Sequence, residues 1–208
     1  MRLCSVYLIT IVCLFSTGCK CDKTYTCPQT RSENHSLTEI SPSDTILFTN
    51  SQNDSVVFLT SARNQSAAYK ASCGRGEPAG CYCPDCEASS SFYALTDTSM
   101  GNHHFYTLKV DEIISEGEIY ISSMLSIGFL DFHTSLDLLN PQNLPANTVT
   151  HSSLTIGAVQ YSNVYEISLD TMQQINSTIN VWRIYYTKSL GVISFYERSH
   201  HSQFIINN

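Results

Sequence analysis

Four cysteines, Cys73, Cys81, Cys83 and Cys86, crowd into a stretch of fourteen residues. Thiols at that density close disulfides, ligate a soft metal, or exchange electrons as a dithiol pair. Dithiol chemistry would use Cys83-Pro84-Asp85-Cys86. It wants the first thiol at a helix N-terminus, where the dipole lowers its pKa, and no strand–helix–strand pattern surrounds the motif. A zinc site built from the four would need a tetrahedral set, usually delivered as two spaced pairs, and here the spacing is irregular. Structural disulfides are the favoured expectation. With Cys21 and Cys27 the set becomes six, an even count that allows 15 complete pairings. Cys81 and Cys83 point the same way along an extended chain but lie too far apart to bond easily. Cys83 and Cys86 could close at a turn, and Cys73 could reach Cys81 across the Gly-rich loop between them. Cys21 and Cys27 either pair with each other or tie the N-terminal segment to this loop.

The histidines raise a second metal possibility. His103-His104 and His200-His201 are adjacent pairs, and neighbours on a strand point to opposite faces, so neither pair chelates alone. One histidine from each pair with a carboxylate would be needed to hold zinc. Asp111, Glu112, Glu116 and Glu118 form the densest acidic patch. They match no calcium-loop template, and a solvated turn is expected there. The chain has no Gly-x-Ser-x-Gly elbow, no His-Glu-x-x-His helix and no phosphate-binding glycine loop. No cofactor is therefore expected, and a catalytic site would have to be assembled in space from separate Ser, His and Asp residues. Asn34, Asn53, Asn64 and Asn176 lie in sequons that matter only in a eukaryotic chain.

The elements that must position these residues are strands. Thr45–Thr49 and Ser55–Thr60 flank a polar turn and read as a hairpin. Ser91–Thr96 reads as another strand, and His104, Tyr106, Leu108 and Val110 share one face of the next. Glu118–Leu125 continues the series, and residues 135–147, with Pro141 and Pro145, read as a long connection. From Leu154 onward period-2 alternation persists to Ile206, with Trp182, Ile184 and Tyr186 expected on one face and Val181, Arg183 and Tyr185 on the other. No sustained helical stripe appears. The expected fold is mainly β: a single antiparallel curved sheet, half-barrel or sandwich, with a Cys-rich loop at 73–86 and few short helices.

The first eighteen residues differ from the rest. Arg2 precedes the apolar run Val6–Phe15, whose ten residues are too few to span a bilayer but suit the core of an export signal. Ser16-Thr17-Gly18 and Cys19 follow. This resembles the lipobox of bacterial lipoproteins, which implies cleavage before Cys19, acylation of that cysteine, and a place in the outer membrane or on the cell surface. Small residues at Ser16 and Gly18 also fit an ordinary secretory cleavage site. The expected organisation is a signal peptide at 1–18, a polar tether at 19–43 and a β-rich domain at 44–208.

Two further resemblances follow. The run from Ser153 to Ile206, with Tyr161-Ser162-Asn163-Val164-Tyr165-Glu166-Ile167 and Leu190-Gly191-Val192-Ile193-Ser194-Phe195, looks like a pattern of small β-rich exported lipoproteins. It is also loosely similar to curved-sheet carriers of lipoproteins, which would imply an apolar cavity. Asp44-Thr45-Ile46, Asp54-Ser55-Val56 and Asp170-Thr171-Met172 resemble a bacterial O-glycosylation motif, placing Thr45, Ser55 and Thr171 as glycosylation candidates. Asp followed by Ser or Thr is equally ordinary turn chemistry.

Charge bounds the partners. The formal charge is −7, and loss of Arg2 with the leader makes it −8. Such a surface argues against nucleic acid and against electrostatic adhesion to anionic lipid, so membrane attachment is expected to be covalent. The functional expectation is a lipid-anchored envelope protein with a non-catalytic binding, accessory or structural role. A hydrolase or metal-dependent enzyme, and a carrier of an apolar ligand, are the alternatives. The partner beyond the membrane stays open among protein, glycan and apolar ligand.

Overall fold

The computed structural model describes residues 24–39, 45–66, 70–76, 80–96, 105–115, 119–169, 180–198 and 201–207, with backbone alone at 75–76 and 80–82. The described strands are β1 (Thr24–Thr26), β2 (Thr45–Thr49), β3 (Ser55–Gln65), β4 (Lys70–Ser72), β5 (Gly74–Gly76), β6 (Gly80–Tyr82), β7 (Cys86–Thr96) and β8 (Phe105–Ser115). They continue with β9 (Ile119–Phe129), β10 (Phe132–Asp137), β11 (Thr148–Ile156), β12 (Val159–Ser168), β13 (Val181–Thr187), β14 (Gly191–Glu197) and β15 (Ser202–Asn207). One short helix, α1 (Ser32–His35), runs into a 3-10 turn at Ser36–Thr38.

Eleven of these strands form one antiparallel sheet in the order β10-β9-β8-β7-β3-β2-β15-β14-β13-β12-β11. The sheet is a meander of hairpins apart from the contact of β2 with β15, which joins the two halves of the chain side by side. The strand-rich, curved-sheet expectation is met. Alternation on β7 and β8 sends Phe92, Ala94, Tyr106, Leu108 and Val110 to the concave face, where each is fully buried. The opposite half of the sheet contributes Phe195, Ile184 and Tyr186, also fully buried or nearly so. Phe129 sits among Phe48, Phe58, Tyr106 and Phe195, with ring centroids 5.0 to 5.4 Å away, edge to face with Phe48 and Tyr106 and tilted against the other two. Each such ring removed from water contributes about 2–3 kcal/mol. The rings fill the hollow of the curled sheet.

Two polar contacts fasten the halves across that core. The Val192 N–H donates to the Tyr106 hydroxyl at 2.8 Å, from β14 to β8. In the β9–β10 turn, where Leu130 has φ 54°, the Asp131 carboxylate accepts the backbone N–H groups of Asn180 and Val181 at the start of β13. Strand starts that have run out of ladder partners thus find one in a side chain.

Several expectations need correction. The stretch 135–147 is not wholly a connection: β10 pairs with β9 from Phe132↔Phe129 to Asp137↔Met124, burying Phe132 and Leu136. Val181 does not face away from Ile184. A register shift between Val181 and Arg183 turns it into the same core. The described part of the expected tether is a folded element. β1 pairs with β4, Cys27 is fully buried, and Asn34, Leu37 and Thr38 are buried under α1 and its following turn. They lie on the concave face beyond the aromatic core, so the segment plugs one end of the curled sheet. The signal-peptide residues and Cys19 fall outside the described residues.

Candidate functional site

A recess is made by a hairpin that leaves the sheet. β12 pairs with β13 only over Tyr165–Ser168, whereas its earlier part pairs with β11 alone. Asn163, with φ 53°, sits near the break in the left-handed region that Asn tolerates better than most residues. Past it the β11–β12 hairpin folds back over the convex face of β14 and β15. Ile156, Tyr161 and Val164 bury there against Ile193, a second small core. This explains why Gly191 through Phe195 are all buried although the sheet has one main core. At the hairpin tip Gly157 has φ +61°, and a Cβ on it would stand 3.2 Å from the Ile205 Cδ1.

Between this tip and the β2–β3 turn lies a groove of about 590 Å³. The turn is built by Asn50, whose Oδ1 accepts the N–H groups of Gln52 at 3.0 Å and Asp54 at 2.8 Å. Its Nδ2 donates to the Asp54 carboxylate at 2.9 Å. Gln52 is held in turn, its Oε1 accepting from the Ser202 hydroxyl at 3.2 Å. Gln203 donates to the Ser194 hydroxyl at 3.0 Å, and Tyr196 donates to the His201 carbonyl at 3.0 Å. The floor is Ile156, Ile205 and Ile206. Among the described residues no Asp, Glu, Lys, Arg or Cys lines this groove. What it offers is amides, hydroxyls, one imidazole and one phenol above an apolar floor, side chains that exchange neutral hydrogen bonds.

Three other clusters are smaller or closed. A recess of about 280 Å³ opens between β10 and β12, beside His133 and Asn147. On the outer side of β11–β13, Glu166 binds His151 at 3.0 Å and Arg183 at 2.9 Å, and the Arg183 guanidinium lies 4.5 Å from the Trp182 ring centre. Under α1, Glu112 is almost wholly buried. It accepts from the Arg31 backbone N–H at 2.9 Å, the Arg31 Nε at 3.0 Å, the Asn34 amide at 2.6 Å and the Ser123 hydroxyl at 3.1 Å. The Arg31 guanidinium also stacks 4.2 Å above Tyr120.

The cysteines pair as Cys27–Cys86 and Cys73–Cys83. The first ties the N-terminal segment to the Cys-rich loop, one of the two options the spacing left open. The second differs from the expected Cys73–Cys81 closure, and Cys83 does not close on Cys86. These bonds remove the dithiol reading, since the two cysteines of the motif hold different partners. They also remove three of the four thiols a zinc site would need. Cys21 and the Cys81 side chain lie outside the described residues, as do His103, His104, His200 and Thr171. His201 borders the groove with φ 48°. Among the described residues no three of His, Cys, Asp and Glu converge to hold a metal. Thr45 and Ser55 are the exposed first residues of β2 and β3.

The acidic patch is divided. Asp111 is an exposed partner of Lys109 at 2.9 Å, whereas Glu112 is buried and bonded, contrary to the solvated turn expected. Asn34, a sequon residue, is committed to Glu112 and Ser123. The only sequence signal for Glu112 was its place in the alternation after Leu108 and Val110, which puts it inward. The groove had no advance signal, because its walls come from residues 49–52, 156–159, 196, 201–203 and 205–207.

Fold and recesses together define a curled antiparallel β-domain with a plugged end and a folded-back hairpin. Comparison with known families, characterised proteins and solved structures found no match in any of the three.

Proposed function

We propose that the chain is an exported protein held on a bacterial membrane by a lipid at Cys19, and that its domain binds a neutral polar ligand without transforming it. The observation that carries the binding reading is the groove between the β2–β3 turn and the folded-back hairpin. Among the described residues its walls present amides, hydroxyls and one imidazole without Asp, Glu, Lys or Arg, above an apolar floor. A ligand rich in hydroxyl and amide groups, such as a neutral glycan or a capped extended peptide, meets that chemistry. A charged ligand would find no opposite charge on the lining. Two disulfides support the exported setting, because such bonds persist in oxidising compartments. The ring-filled hollow of the sheet gives the carrier alternative no observation in its favour.

The test titrates the full mature chain with neutral chito-oligosaccharides and with capped uncharged peptides, followed by calorimetry and by mass spectrometry of the probe. Saturable binding is expected. It should be abolished by Ala158→Trp, which fills the groove from the exposed hairpin tip. Gln203→Ala should weaken it about tenfold, the worth of roughly one hydrogen bond. Absence of saturation with either probe class would refute the binding reading, and cleavage of a probe would replace it with the hydrolase alternative. Separately, Cys19→Ala should release the chain from membranes of its host, and unchanged retention would refute the anchor.

A further inference from the structure

The end of the sheet that carries the N-terminal plug also carries an apolar surface with no role in the core. Ile113 is 39% exposed, Ile119 65% and Ile121 55%, all near the β8–β9 turn. A register shift between Ile113 and Ile114 leaves Ile121 without a ladder partner and exposed, while Ile114 is buried. Ile121 and Ile119 also lie beyond the reach of β10, which pairs with β9 only from Met124 onward. Three exposed isoleucines at one end of a strand pair suit an interface better than open water.

The chain itself says what that end faces. Tyr25 and Tyr120 pack on the same small buried cluster of Cys27, Ala71, Cys86, Ala88 and Ile114. Thr24 and Ile119 are the sequence neighbours of those two tyrosines, so the described chain begins at the same end of the domain as the isoleucines. Cys27–Cys86 fixes this placement covalently. Four residues lie between Cys19 and Thr24, so five Cα–Cα steps make a leash of at most about 17 Å when fully extended. A domain of this size is about 40 Å across. The leash is therefore too short to carry the opposite end of the domain round to a surface that holds Cys19.

We infer that Ile113, Ile119 and Ile121 form a bilayer-facing patch that rests in the headgroup region when Cys19 is acylated; this rests on the lipid-anchor reading given above. Glu87 lies opposite Ile113 in the ladder. In sequence, Glu116 and Glu118 stand next to the strand ends that carry the isoleucines, and Lys20, Asp22 and Lys23 lie between Cys19 and Thr24. That set is net negative, which suits a zwitterionic surface and is opposed by an anionic one. Docked this way, the domain stands with its plugged end on the membrane.

The experiment uses the acylated full-length mature chain with Trp182→Phe and Ile121→Trp, bound to phosphatidylcholine–phosphatidylethanolamine vesicles brominated near the top of the acyl chain. Loss of most of the tryptophan fluorescence, with a blue shift, is expected. It should be absent for the same protein carrying Cys19→Ala, and weaker when anionic phosphatidylglycerol is added. A vesicle-bound chain whose tryptophan is neither shifted nor quenched overturns the patch and leaves the anchor standing. A mature chain that carries no lipid and does not bind vesicles overturns both. Amide exchange on the acylated chain without those tryptophan changes guards against misfolding of the variant: residues 119–122 should slow on vesicles, and unchanged exchange overturns the patch.

Discussion

Glu112 is the side chain on which the plug depends most, and its removal gives the sharpest test of the fold. Four donors from three residues converge on its carboxylate: the Arg31 backbone and Nε, the Asn34 amide and the Ser123 hydroxyl. Two of these belong to buried side chains, Asn34 and Ser123, which find no water once the acceptor is gone. Glu112→Ala leaves each unpaired buried donor at a cost of about 1–3 kcal/mol. Breaking a buried ion pair from one side costs about 3–5 kcal/mol in total. Arg31 is partly exposed and can recover solvent, so the lower part of that range, about 3 kcal/mol, is the expected loss. The loss should be local. Leu37 joins the main core from the plug, but the ring cluster around Phe129 makes no use of Glu112. Hydrogen exchange should therefore show residues 31–38 opening in Glu112→Ala while β8 and β14 amides stay protected. Urea titration at neutral pH supplies the magnitude. A change below about 1 kcal/mol, or uniform loss of protection across β8 and β14, would refute the claim that this carboxylate holds the plug as a separate unit.

Other outcomes follow from the same structure. Opening Cys27–Cys86, which closes a loop of sequence separation 59, should cost about 4 kcal/mol from chain entropy, and opening Cys73–Cys83, separation 10, about 2.7 kcal/mol; denaturant titration of the paired Cys→Ser variants checks the order. Peptide mapping of the non-reduced protein should find these two bonds, and the two cysteines left over, Cys21 and Cys81, joined as a third. Tyr106→Phe orphans the Val192 N–H and should lower stability by about 1–3 kcal/mol, whereas Tyr186→Phe removes a buried hydroxyl with no partner among the described residues and should be neutral or stabilising; thermal melts of the two variants separate them. Burial raises the pKa of both tyrosines above the ordinary value of 10.0, with Tyr106 and Tyr165 adding repulsion at Tyr186. Unfolded tyrosines shed protons above pH 10 and these two do not, so their contribution is intact below pH 10 and declines above it. The decline should be about 1.4 kcal/mol per pH unit for each, measurable as an alkaline loss of stability whose slope is shallower by about that amount in Tyr186→Phe.

Alternation along the chain determined the strands and most of their inward residues. Tyr106, Leu108 and Val110 need only a pleat of period 2 to face one way, and the loops between hairpins announce themselves by polar and Gly residues. The even count of cysteines after Cys19 likewise pointed to disulfides. Tertiary structure decided which ones, because bonding requires Cα atoms about 5.5 Å apart, as at Cys27–Cys86, a distance set by how the plug lies on β7 and not by spacing. It also decided that residues 24–39 fold. Their polarity is that of a tether, and partners distant in the chain, Glu112, Tyr120 and Ser123, give Arg31 and Asn34 something to bind. β10 escaped the sequence because His133, Thr134 and Ser135 interrupt its two apolar residues, and pairing with β9 supplies what its composition does not. The groove belongs wholly to the tertiary level. A local pattern describes neighbours along one strand, whereas these walls come from three segments brought together when the bend near Asn163 lays one hairpin across the back of the sheet.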